Sequence, residues 1–149
     1  MANIVTRDKS ENTNRRVNCS EIVYRAARKS SWVNEEERRL EPAAYELRPA
    51  TKDRAAERGI SLGLASHCTA EAYTDPRVCQ LKKVHAVATH HVGRIHGLEL
   101  SVIQDNPDHA EIIGLFGLDE DRAYDLSVRL SEQSRIAWPE TLKWAARQS

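Results

Sequence analysis

Six histidines stand in the chain, and four of them, His85, His90, His91 and His96, fall in one short stretch. Imidazoles at that density suggest a metal. Their spacing argues against one. On an extended strand His85 and His91 lie about 20 Å apart, and His90 and His91 point to opposite faces. On a helix no two of the four stand at i, i+4, so the two-histidine arrangement of H-E-x-x-H cannot form. His96 could return after Gly93 toward His90 or His91, but two ligands do not close a zinc site. No metal is therefore expected. A metal-binding protein built on the His85 to His96 cluster stands as a second alternative function, and His91 is read as a binding residue at a sheet surface.

His109-Ala110-Glu111 matches the H-x-E half of the zinc deaminase signature, where the histidine holds zinc and the acid moves protons. The P-C-x-x-C half must follow it, and no cysteine follows Cys79. His109 is read instead as opening a strand after an Asn106-Pro107-Asp108 turn, its ring bonded to turn backbone and available for binding. Cys68, between His67 and Thr69 near an expected helix start, sits where a thiolate could be favoured. A cysteine without a family signature is ordinarily a small buried apolar residue. The six glycines never make G-x-G-x-x-G, a Walker loop or a G-x-S-x-G elbow. No cofactor is expected on motif grounds.

These side chains need elements to hold them. Glu21 to Arg25 is a short β-like run. Asn34 followed by Glu35, Glu36 and Glu37 reads as a helix cap and first turn, ended by Pro42, with Pro42 to Leu47 extended after it. Residues 50–58 are charged and carry no large aliphatic, as a solvated loop or helical turn does. Ile60 to Leu64 alternates apolar with small residues, and Val84 to Val92 alternates over a longer run; both predict strands. Thr69 to Tyr73 predicts a short helix closed by Asp75-Pro76. Leu98 to Ile103 and His109 to Ile113 are further strands. Asp119, with Glu120 and Asp121 behind it, caps the clearest helix, whose buried stripe is Ala123, Leu126 and Leu130. Residues 136–139 are a last strand or turn, and Thr141 to Arg147 a small amphipathic helix.

Composition limits what such a chain does. It has 149 residues, a 40% hydrophobic and 30% charged composition, and equal numbers, 22 each, of basic and acidic residues. That is one domain's worth of chain. Mixed short strands and helices without regular βαβ spacing predict a single compact α+β domain, residues 21–149, with a mostly antiparallel sheet. Residues 1–20 are polar and read as a flexible arm. A zero net charge makes nucleic acid an unexpected partner. No apolar run is long enough for a membrane span. The first twenty residues lack the apolar core of a secretory signal, and the three cysteines are odd in number, so a reduced cytoplasmic setting is expected. Without a complete catalytic motif, the leading expectation is an interaction or accessory protein that binds a protein partner or itself, with Trp138 and Trp144 as binding residues.

Two resemblances accompany this reading. Val23-Tyr24-Arg25, then Glu41-Pro42-Ala43-Ala44-Tyr45, Ile60 to Leu64, Val92-Gly93-Arg94-Ile95, Pro107 to Gly114 and a helix ending near Trp138-Pro139 occur in that order. The order resembles a loose group of small uncharacterised bacterial single-domain proteins, across residues 22–139. It implies a bacterial single domain and no particular chemistry. A Tyr24-Arg25 opening strand, a later strand bearing Ser61 and a late strand bearing Glu111 also look like the layout of ADP-ribosyltransferase-like domains. That likeness implies an NAD-using transferase or toxin as the first alternative. Arg25 would contact NAD, Ser61 would shape its pocket and Glu111 would orient the ribose, with Tyr24 beside them as a binding residue.

Overall fold

The alternating runs at Ile60 and Val84 become inner strands of one twisted antiparallel sheet. The computed structural model describes residues 15–79 and 81–140. Its strands are β1 (Arg15–Arg16), β2 (Ile22–Ala27), β3 (Val33–Asn34), β4 (Arg39–Leu40), β5 (Gly59–Leu64), β6 (Ala86–His91), β7 (Ser101–Asn106), β8 (His109–Ile113) and β9 (Arg135–Trp138). Among the described residues three α-helices, α1 (Pro76–Cys79), α2 (Val92–His96) and α3 (Glu120–Gln133), complete it, together with three short 3-10 turns. Seven strands form the sheet in the order β1-β7-β8-β5-β2-β6-β9, and β3 and β4 make a separate hairpin. Every neighbouring pair is antiparallel. The protein is a single α+β domain with its one long helix near the C-terminus.

The sheet is covered on both faces, by unequal amounts. On the inner face Val23, Ala27, Ile60, Leu62, Leu64, Ala88 and Ile112 meet Leu126 and Leu130 of α3 in the main core. Each fully buried aliphatic there contributes about 1.5–3 kcal/mol. On the outer face Tyr24, Ala26 and Val87 pack with Tyr73 and Val84 in a smaller cluster. Tyr73 packs closely over Gly63 of β5, which has no side chain. A Cβ there would come within 2.4 Å of the Tyr73 ring. The half of this face formed by β8 and β7 is left half-open: Ile103, Glu111 and His109 are only partly covered.

Several local expectations give way to tertiary context. Asn34 does not start a helix. Its Oδ1 accepts the Glu37 N–H at 2.8 Å, closing the β3–β4 hairpin, with Arg38 in the left-handed region (φ 56°). Glu35 through Arg38 are all exposed, so a helix there would have had no face to bury. Pro42 to Tyr45 is a 3-10 turn and not extended, because Pro42 at its start pre-sets a helical φ. Pro76 starts α1 and does not simply end the preceding turn, since its fixed φ also suits a first helical position. The strand expected to run to Val92 stops at His91, where α2 begins. The strand placed at Leu98 to Ile103 runs from Ser101 to Asn106. Arg15, Arg16 and Val17, read as part of a polar arm, join the sheet beside β7, with Val17 buried and its N–H on the Val102 carbonyl. Residues 1–14, like the expected helix from Thr141 and Trp144 within it, lie outside the described residues.

Two serines of α3 and the Ser134 that caps its C-terminus fasten the segment before β5 to the helix. Ser127 Oγ donates to the Tyr45 carbonyl at 2.9 Å. Ser131 Oγ donates to the Leu40 carbonyl at 2.6 Å, and Ser134 Oγ accepts the Leu40 N–H at 3.0 Å. All three are buried, so each hydroxyl also satisfies a backbone group that would otherwise be orphaned.

Candidate functional site

Register decides which candidate side chains can meet. Ser61 is the direct partner of Glu111 across β5 and β8, and Tyr24 is the partner of Gly63 across β2 and β5. Paired residues share a face and neighbours along a strand alternate. Tyr24, Ser61, His109 and Glu111 therefore all belong to the outer face, and Arg25 belongs to the inner one. The Arg25 guanidinium donates from Nε to the Ala44 carbonyl at 2.9 Å and from Nη1 to the Ser61 carbonyl at 3.0 Å. It reaches the backbone of Ser61 from beneath the sheet and does not enter a common cleft with the Ser61 and Glu111 side chains. Trp32 stacks under it at 5.3 Å, with Arg28 at 4.8 Å from the same ring, a cation–π arrangement that supports the inner layer.

Tyr24 is buried, and its hydroxyl donates to the Cys68 carbonyl at 3.0 Å. That is packing, not a surface for ligand. The Cys68 thiol is pushed up by burial and then by Asp108, the opposite of an activated thiolate. Trp138 pairs with Val87 at the β6–β9 edge and is half-buried against the smaller cluster.

The histidines disperse. His90 lies in the interior with its Nε2 on the Tyr45 hydroxyl. Burial first, then Arg25, Arg94 and His91, lower its pKa to about 3, so the ring is neutral and shares one hydrogen with the phenol. His91 is exposed at the cap of α2 and makes no capping bond. His96 Nδ1 is 3.1 Å from Cys19 Sγ, and its Nε2 accepts the Val102 N–H at 3.3 Å. His109 bonds to the Asp105 carboxylate and not to turn backbone. A bulge in β7 makes this contact: Gln104 opposes Ala110 and Asn106 opposes His109, leaving Asp105 as the extra residue. Asp105, His109 and Glu111 each present a ligand-type atom, all within 4.8 Å of one another.

A cleft lies elsewhere. Residues 45–49, Ala56–Glu57, the turn 115–118 and the first half of α3 enclose a cleft of about 650 Å³. Its floor is the Tyr45–Ser127 contact. Its lip is the turn between Gly114 and Gly117, whose φ angles of +116° and +87° need glycine. That turn buries Leu115 and holds Phe116 and Leu118 outward, 47% and 39% exposed. Tyr124, two residues before the buried Leu126 on α3, is 59% exposed. With Ile113 these are the exposed large hydrophobics among the described residues, and Phe116, Leu118 and Tyr124 all line the cleft. Among the described residues four acids line it too, Glu46, Glu57, Glu120 and Asp121, against one cation, Arg48. Arg48 is tied to Glu57 at 3.0 Å. Arg58 lies over the Phe116 ring at 4.6 Å. None of these residues stands out by type in the sequence. The available signal was an aromatic on the polar face of a helix, next to a glycine-bounded apolar turn.

No family model matches the chain, and neither the curated proteins nor the solved structures contain a match to it. Among the described residues no helix is long and apolar enough to cross a membrane.

Proposed function

We propose that the protein is a binding module that receives a short segment of a partner protein in the cleft between residues 45–49 and α3. The observation that carries this reading is the ridge of Phe116, Leu118 and Tyr124, exposed large hydrophobics gathered on one cleft. Single exposed apolar residues need no explanation, whereas a contiguous set marks a contact surface. The volume lies within the range of ligand sites, and the clustered aromatics suit anchor side chains. The acidic lining selects among occupants. Glu46, Glu120 and Asp121 would repel phosphates, anionic lipid headgroups and a symmetric second copy of the same rim. A segment with aliphatic or aromatic anchors flanked by lysine or arginine satisfies both the ridge and the rim.

Panning a random peptide-display library on the immobilised full-length protein tests this. A Leu118→Ser/Tyr124→Ala double variant serves as the counter-target. Both side chains are exposed, so the variant keeps its fold. The expected result is a consensus with apolar anchors and basic flanks that fails to bind the variant. Equal enrichment on both proteins, or an acidic consensus, would overturn the reading.

A further inference from the structure

We infer that Asp105, His109 and Glu111 form a binding site for a divalent first-row transition-metal ion, on the half-open outer face of β7 and β8, apart from the cleft. The three residues offer one imidazole and two carboxylates with ligand atoms within 4.8 Å of one another. His109 and Glu111 share a face of β8 as alternate residues, and the bulge in β7 brings Asp105 to within 2.6 Å of His109 Nδ1. The absence of a side chain at Gly59 leaves space beside the Glu111 side chain. A Cβ at Gly59 would come within 2.8 Å of Glu111 Oε2 and within 3.1 Å of Glu111 Cβ. All three side chains are half-buried, so their positions are partly held by packing. Among the described residues no lysine or arginine makes a salt bridge to either carboxylate; Asp105 is bridged by His109 alone. Two carboxylates converging on one imidazole without a fixed cation leave charge that a divalent ion compensates.

The donor set narrows the ion. Imidazole suits zinc, iron, copper and nickel, whereas magnesium and calcium favour all-oxygen shells. Metal–ligand bonds of about 2.0–2.2 Å require the present imidazole–carboxylate contact to open slightly as the ion replaces the hydrogen between the two groups. Three protein ligands leave further positions to solvent, as in an open site and not in a closed structural one.

Titrating the full-length protein with zinc chloride by calorimetry tests this, with histidine ring resonances followed by NMR. One equivalent should bind. His109→Gln and Glu111→Gln should each weaken binding at least about tenfold, and Cys19→Ser should leave it unchanged. Excess magnesium should not displace the zinc. In the wild type alone, which removes any question of variant folding, the His109 ring signals should shift before those of His67, His85 and His91. Absence of uptake, uptake unchanged in both ligand variants, or uptake abolished by Cys19→Ser, which would move it to the Cys19–His96 pair, would overturn the assignment.

Discussion

Acid should loosen the interior through His90. Its ring is 1% exposed, and in the fold its pKa falls from 6.5 to about 3, chiefly by burial. The neutral ring is hydrogen-bonded to Tyr45 through Nε2, while its Nδ1 has no partner among the described residues. The unfolded chain takes up a proton near its ordinary pKa, and the folded chain resists until far lower pH. This contribution to stability is therefore complete above pH of about 6.5 and is lost as pH falls toward 3, at about 1.4 kcal/mol per pH unit. Between pH 6.5 and 4.5 the loss is about 2 kcal/mol, a large part of a typical domain's stability. The perturbation that isolates it is His90→Leu, close in size and unable to titrate. Urea unfolding by circular dichroism at pH 7, 6, 5 and 4.5 gives both curves. At pH 7 the variant should be weaker by about 1–3 kcal/mol, because the Tyr45 hydroxyl loses its buried hydrogen-bond partner. The gap should close on acidification as the wild type alone pays the imidazole cost. Glu57, which burial would raise but which its bonds to Arg48 hold low, and His96, lowered by burial and Arg16, titrate in both proteins and cancel in the difference. Parallel stability curves would refute the reasoning.

Three further outcomes follow from named contacts. Gly63→Ala should cost about 1–3 kcal/mol by driving a methyl into the Tyr73 ring, measurable as a lower urea midpoint with unchanged slope. Asp119→Ala removes the side chain that accepts the Arg122 N–H at 2.8 Å. It should cost about 1 kcal/mol and lower the Tm by about 2–4 °C in a thermal scan. Leu118→Ser/Tyr124→Ala should shift urea stability by less than about 0.5 kcal/mol while abolishing capture of library peptides, separating a binding role from a packing one.

Much of the fold was readable where it depends on neighbours in sequence. Asp119 with its two following acids marks α3, and His109 to Ile113 has the alternation of the strand it forms. Where one local signal serves two structures, reading failed. Asn34 bonds two or three residues ahead equally well in a helix cap and in a tight turn, and only the burial of Trp32 and Leu40 on either side settles it as a hairpin. Val92 continues the alternation of β6, yet Gly93 docks its N–H on the Cys19 carbonyl at 3.0 Å, a long-range contact that local pattern cannot foresee. The candidate sites divide in the same way. His109 and Glu111 were visible as an H-x-E pair, but Asp105 joins them only through a register shift. Arg25, Ser61 and Glu111 were grouped by strand order, and the parity of the β2–β5 pairing puts Arg25 on the other face. The cleft was invisible because Phe116, Leu118 and Tyr124 are ordinary residues until the turn at Gly114 and the helix bring them together.

The partner-segment reading is tested most directly by mapping where a basic, apolar peptide touches the protein. Amide resonances of the isotopically labelled full-length chain, followed as a library-selected peptide is added, should move at residues 45–48, 56–57, 115–118, 120–121 and 123–124, which line the cleft. Shifts confined to the open face of β7 and β8, or spread evenly over the surface, would contradict it.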